Sequence, residues 1–154
     1  MKVVPAEWHD PDVQRLAAEQ QAEVRARYDG QGEPGTPPSA ADISVVLVAR
    51  DDDGTALGCG ALRVLGEGVA EVKRMYVAPS ARGRGIARAV LAGLEDAARD
   101  RGWTTLRLET GPRQPEAIAL YTRAGYRPIQ AFAAYVDAPD AEDSLFYERT
   151  LSPS

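Results

Sequence analysis

The residues best suited to chemistry lie between Val69 and Arg101, where Arg82, Gly83, Arg84 and Gly85 separate two differently patterned segments. Val69–Val77 is rich in apolar and β-branched residues, as a strand is, and Pro79 stops it. From Ile86 the apolar spacing turns helical, through Val90, Leu94 and Ala97, and Gly102 stands where a C-terminal cap belongs. A glycine turn that opens a helix aims several backbone N–H groups at one spot. The helix dipole adds partial positive charge there, and two arginines add whole charges. That makes an anion site suited to a phosphate or pyrophosphate. The same residues also describe a glycine turn with solvated arginines. Two carboxylates lie on strand patterns: Glu71 within the first, and Glu109 near the end of a later one, Thr104–Thr110. Apolar neighbours raise a carboxyl pKa and let it accept a proton, while Lys73, Arg74 and Arg107 offer ion pairs instead.

The P-loop pattern needs Lys-Ser/Thr after its last glycine, and Gly85 is followed by Ile86. The dinucleotide fingerprint needs a third glycine where Arg88 stands. Arg82-x-x-Gly85-x-Ala87, entered from a strand ending Met75-Tyr76-Val77, instead resembles the Gln/Arg-x-x-Gly-x-Gly/Ala loop of the GNAT superfamily of acyl-CoA-dependent N-acetyltransferases. Downstream, Gln114-Pro115-Glu116-Ala117-Ile118-Ala119-Leu120-Tyr121 followed by Ala124-Gly125-Tyr126 resembles that superfamily's second motif, Asn-x-x-Ala-x-x-Leu-Tyr-x-x-x-Gly-Phe/Tyr. The resemblance covers roughly residues 43–150.

The resemblance implies an α/β (α+β) fold: a mixed, mostly antiparallel sheet of six to seven strands flanked by helices, with a splayed central parallel pair. It implies acetyl transfer from acetyl-CoA to an amine, with no metal. Arg82, Gly83, Arg84, Gly85, Ile86 and Ala87 would hold the pyrophosphate. Backbone groups of Met75 and Val77, with Tyr76 between them, would hold the pantetheine arm, and Gln114 would bond near the cofactor. Tyr121 stands where the superfamily carries its general acid, and Glu71 matches the base of the histone-acetylating branch. Without the motif, a tyrosine on a helical face with Ala117, Leu120 and Ala124 is more often core than catalytic.

The elements that position these residues follow in order. Met1–Ala6 reads as a short strand, and Asp10-Pro11 as a helix start, with Asp10 the N-cap. The helix runs to about Tyr28-Asp29-Gly30 on the face Val13, Leu16, Ala17, Gln20, Val24. Gln31–Asp42 is a long Gly/Pro-rich loop, of the kind that often serves function, and the resemblance places it beside the acceptor pocket. Ile43–Arg50, a turn at Asp51–Gly54, Thr55–Leu65, and Val69–Val77 read as an antiparallel meander. A helix over Arg84–Arg101 crosses to a parallel strand at Thr104–Glu109. A helix at Pro115–Ala124 follows, then strands near Tyr126–Tyr135 and Ser144–Leu151, with an acidic loop at Asp137–Asp143.

A chain of 154 residues is read as one domain. A net charge of −5 argues against nucleic acid as partner. A single cysteine, Cys59, excludes an internal disulfide framework, and a single histidine, His9, excludes a His-rich metal site. Cys59 has no histidine nearby to activate it, so direct transfer in a ternary complex is expected. No apolar run approaches a membrane span and no signal peptide is evident, so a cytoplasmic location is expected. The expected partner is a small-molecule amine, favoured as cationic if the acidic runs Asp51–Asp53 and Asp137–Asp143 face it. Dimers are common in the superfamily. A non-catalytic CoA-binding module is the alternative.

Overall fold

The Asp10 carboxylate accepts a hydrogen bond from the Asp12 N–H at 2.8 Å, and Pro11 takes the first helical position of α1 (Pro11–Arg27). In the computed structural model, which describes residues 1–152, the order is β1 (Lys2–Pro5), α1, β2 (Ile43–Arg50), β3 (Ala56–Gly66), β4 (Val69–Val77), α2 (Ile86–Asp100), β5 (Thr105–Thr110), α3 (Pro115–Arg123), β6 (Arg127–Ile129) and β7 (Leu145–Thr150). One seven-stranded sheet runs β1-β2-β3-β4-β5-β7-β6, antiparallel throughout except between β4 and β5. This is the mixed α/β arrangement expected.

Alternate residues of β2 belong to two apolar clusters. Val45, Leu47 and Ala49 pack with Val90, Leu91 and Leu94 of α2, while Val46 and Val48 pack with Val13 and Leu16 of α1. Cover on both faces explains why β2 reads as an uninterrupted apolar run. Each such buried Leu, Ile or Val contributes about 1.5–3 kcal/mol before entropy is set against it.

The decisive feature is how little β4 and β5 pair. Their parallel register holds only Val69↔Thr105, Ala70↔Leu106 and Glu71↔Arg107. Beyond Glu71 the strands part. At that place β4 also bulges against β3. Cys59 pairs with Tyr76 but Ala61 with Lys73, so Arg74 and Met75 together oppose Gly60. Arg74 sits at φ 59°, a left-handed conformation that costs a non-glycine residue about 1–2 kcal/mol. Its carbonyl accepts from the Cys59 thiol at 3.3 Å.

Three expectations need correction. The helix after the glycine loop starts at Ile86 rather than Arg84, because Gly85 stands left-handed at φ 76°. The expected strand over Tyr126–Tyr135 shrinks to Arg127–Ile129, and Ala133–Tyr135 forms a 3₁₀ turn. The aromatic rings account for this: Phe132 and Tyr135 leave the sheet to pack on Phe146, at centroid distances of 5.6 and 5.4 Å. The Asp137–Asp143 loop contains a further 3₁₀ turn at Pro139–Ala141.

Gly60 makes the bulge possible. A Cβ there would lie 2.7 Å from Met75 Sδ, 2.9 Å from Val90 Cγ1 and 3.0 Å from Leu94 Cδ1. Gly60→Ala is expected to cost about 1–3 kcal/mol of stability by overpacking, read from denaturant unfolding; an unchanged midpoint would show that α2 moves freely off the bulge.

Candidate active site

The splay opens a cleft of about 600 Å³ between β4 and β5, bounded also by α1, α3 and the start of α2. At one end lies the glycine loop. Gly83 (φ 83°) and Gly85 (φ 76°) both hold conformations that favour glycine. The first backbone bond within α2 runs from the Ala89 N–H to the Gly85 carbonyl, and no side chain caps the helix. The N–H groups of Ile86, Ala87 and Arg88 therefore have no helical partner, and all three residues line the cleft. A partial positive charge is thus presented to the cavity.

The two loop arginines separate. Arg82 lines the cleft, its Nε donating to the Val77 carbonyl at 3.1 Å, a second nitrogen to Glu23 at 2.8 Å, and its guanidinium 5.6 Å from the Tyr76 ring centroid. The bond to Glu23 raises its pKa further. Arg84 turns to Asp51 of the β2–β3 hairpin at 3.5 Å and is not part of the cleft wall. Asp52 meets the N-terminal amine at 3.5 Å. The hairpin acids thus serve surface pairs rather than an acceptor. The Asp137–Asp143 loop is likewise outside the cleft wall.

In the middle of the cleft, β4 has a free edge. Tyr76 pairs with Cys59, and the Ala78 N–H bonds to the Leu57 carbonyl. By alternation, the N–H and C=O groups of Met75 and Val77 turn away from β3, toward the gap, where Arg82 already bonds the Val77 carbonyl. Tyr121, buried from α3, faces the same space. Its ring packs edge-on to Tyr126 at 5.7 Å, and its hydroxyl makes no hydrogen bond among the described residues. Burial, then the Glu109 charge, raises its pKa. Gln114 is the N-cap of α3, but its side-chain oxygen accepts from the Gly111 N–H at 3.2 Å and from the Tyr28 hydroxyl at 3.3 Å. It tightens its own loop and lines the cleft beside it.

The two candidate bases part company. Glu109 lines the cleft, with Ser144 Oγ donating to it at 2.6 Å. Burial pushes its carboxyl up to about 7, against the opposing effects of Ser144 and Lys73. Glu71 is fully buried and outside the cleft wall. It receives two bonds from Arg63, at 2.9 and 3.2 Å, and one from the Tyr135 hydroxyl at 2.5 Å, with Lys73 Nζ at 3.8 Å. Ion pairing with Arg63, a partner the sequence pattern did not single out, draws Glu71 away from a role as a free base. Three other cleft residues were also unforeseen. Glu33 joins Lys73 at 2.5 Å and Arg74 at 2.9 Å. Glu23 holds Arg82, and Thr110 has a buried hydroxyl with no partner. The sequence marks the long loop as a whole, and nothing local distinguishes Glu33 within it.

The model of the Acetyltransferase (GNAT) family matches residues 6–126. The chain belongs to that family. An IAA acetyltransferase of Azospirillum brasilense is 47% identical over 106 residues, which cover 68% of this chain and 67% of that protein. A Klebsiella pneumoniae structure, provisionally described as an acyl-CoA N-acyltransferase, is 38% identical with a TM-score of 0.82, over 98% of this chain and 97% of that one. A GNAT-superfamily phosphinothricin acetyltransferase of Sinorhizobium meliloti, solved with AcCoA, has the same fold: TM-score 0.68, 20% identity, and coverage of 100% and 94%. The GNAT fold's splayed strand pair is the cleft described above.

The raised Glu109 carboxyl makes stability depend on pH. Its folded pKa of about 7 exceeds the ordinary 4.5, so the protonated form favours the folded state. That contribution is complete below about 4.5 and is lost as pH rises through about 7. Thermal unfolding of Glu109→Gln should therefore exceed wild type at pH 8 and converge with it near pH 4.5. A pH-independent difference would place Glu109 in ordinary solvent.

Proposed function

We propose that this protein transfers the acetyl group of acetyl-CoA directly to the amine of a small-molecule acceptor. The observation that carries this reading is the meeting, in one cleft, of an uncapped helix N-terminus, a free strand edge and a carboxylate poised near neutrality.

The residues present fit coenzyme A. The unpaired N–H groups of Ile86, Ala87 and Arg88, with Arg82, would receive the pyrophosphate. The open edge at Met75 and Val77 would receive the amides of the pantetheine arm, one backbone N–H polarising the thioester carbonyl. Bound acetyl-CoA supplies an activated acyl group with a thiolate leaving group. Glu109 takes the proton that the acceptor ammonium must lose before its nitrogen can attack. Tyr121 offers its hydroxyl to the departing sulfur. Because burial raises its pKa above that of an ordinary phenol, and a thiol is the stronger acid, Tyr121 acts as a hydrogen-bond donor more than as a complete proton donor. Cys59 is unsuited to carry the acyl group. It is buried, its thiol is pushed up to about 12, and it donates to the Arg74 carbonyl. That supports direct transfer. The AcCoA complex of the Sinorhizobium enzyme, and the acetyltransferase activity that names the Azospirillum relative, support the same reading at the level of fold and family.

The test is thiol release from acetyl-CoA against amino acids, polyamines, aminoglycosides and peptides. Release that needs an amine is expected, with kcat/KM falling about tenfold per pH unit below the Glu109 pKa of about 7. Glu109→Gln should lower kcat about a hundredfold and flatten that limb, and Tyr121→Phe should lower kcat about tenfold with little change in CoA affinity. Tight CoA binding without release to any amine would leave an acceptor outside the panel or a binding-only protein. A second expectation concerns the loop: Arg82→Ala should weaken CoA binding several-fold by calorimetry, and more than Arg84→Ala does. Equal effects would contradict the separation of the two arginines.

A further inference from the structure

We infer that the acceptor carries a free carboxylate beside its amine, and that Arg74 and Lys73 are the residues that bind it. The inference rests on the transfer reading above and names the acceptor class for the same cleft.

Cation and carboxylate are arranged asymmetrically at the end of the cleft away from the glycine loop. Lys73 and Arg74 both line it, and Lys73 is almost wholly buried. A buried ammonium and a largely buried guanidinium need anionic partners. Glu33 supplies one carboxylate to both, at 2.5 Å from Lys73 Nζ and 2.9 Å from Arg74. The cleft is thus already built around a carboxylate held between two cations, and that carboxylate comes from the irregular loop at residues 31–42. The arrangement is incomplete. Arg74 Nε is buried with no partner, although Gln20 stands 3.5 Å from another nitrogen of the same guanidinium. The Nε–Nη2 edge of the fork is unused among the described residues and suits a second carboxylate, while Glu33 holds Nη1. The backbone agrees with a site more than with packing. Arg74 is the left-handed residue of the β4 bulge, and it lines the cleft.

Glu109 supplies the complementary charge. It lines the same cleft, close enough to Lys73 and Glu33 for both to influence its titration. An amino-acid-like zwitterion would place its ammonium toward Glu109 and its carboxylate on Arg74 and Lys73. A purely cationic amine would leave the unused Arg74 edge empty. Glu33 acts as a placeholder that keeps the cations paired until the acceptor enters.

The test uses equilibrium binding, so it does not depend on turnover. N-acetyl derivatives of the common amino acids and their carboxamides are titrated into the full-length protein saturated with CoA, with CoA binding measured first. At least one acid is expected to bind about tenfold more tightly than its amide. Arg74→Gln should erase that preference, Arg74→Lys should retain part of it, and Glu33→Gln should strengthen acid binding. Circular dichroism melts confirm that each variant is folded. Acids that bind no better than their amides would overturn the proposal, as would a preference unchanged in Arg74→Gln. Absence of CoA binding would instead overturn the transferase reading, with the acid–amide contrast in the unliganded protein still deciding the role of Arg74.

Discussion

Three residue pairs hold β4 to β5, and everything functional depends on there being no more. A parallel pair continued to Val77 would satisfy the backbone groups of Met75 and Val77 and close the space that Tyr121 and Glu109 face. Two devices stop the pairing. The bulge at Arg74 shifts the β4 register by one residue relative to β3, and Gly60 leaves room for it beneath α2. On the other side, β7 rather than a further parallel strand covers the remaining edge of β5, from Thr105 through Thr110. The strands part where β4 bulges, and each keeps only its outer partner beyond that point, β3 for β4 and β7 for β5.

The interior charges are organised around the same opening. Glu71 sits at the last paired position of β4, where no water reaches it, and Arg63 with Tyr135 satisfies its carboxylate. Lys73, two residues on and on the same face, reaches both the Tyr135 hydroxyl and Glu33. One chain of contacts therefore ties the strand junction to the long loop: Glu71, Tyr135, Lys73, Glu33. Breaking a buried pair in such a chain leaves an uncompensated charge, so its members hold one another in place. Glu109 is outside these bonds. Its only hydrogen-bond donor among the described residues is Ser144, and its carboxyl accordingly rises toward neutrality while Glu71 stays engaged.

Much of the architecture was legible in the chain. The cap at Asp10-Pro11, the hairpin at Asp51–Gly54 and the strand–loop–helix around Gly83–Gly85 are local events, governed by turn chemistry and apolar period, and the structure places them within a residue or two of expectation. The segment after Tyr126 was not legible. Nothing local stops a strand at Ile129, but Phe132 and Tyr135 both pack on Phe146, which a continued strand would not allow for residues three apart. The spatial exchange of β6 and β7 is invisible for the same reason, since no local signal records which of two strands pairs first with β5.

The sequence by itself determined the family, the glycine loop and its anion-binding character, and the presence of Tyr121 and two carboxylates within reach of one sheet, because these follow from residue type and short-range spacing. Only the tertiary structure decided which residues share the cleft. It brought Glu109 to the wall and drew Glu71 inside, turned Arg82 inward and Arg84 toward Asp51, and carried Glu33 across from a loop 40 residues before its partner Lys73. The physical reason is that charge pairing across a sheet depends on register and on the far side of a loop, and neither leaves a trace in local sequence.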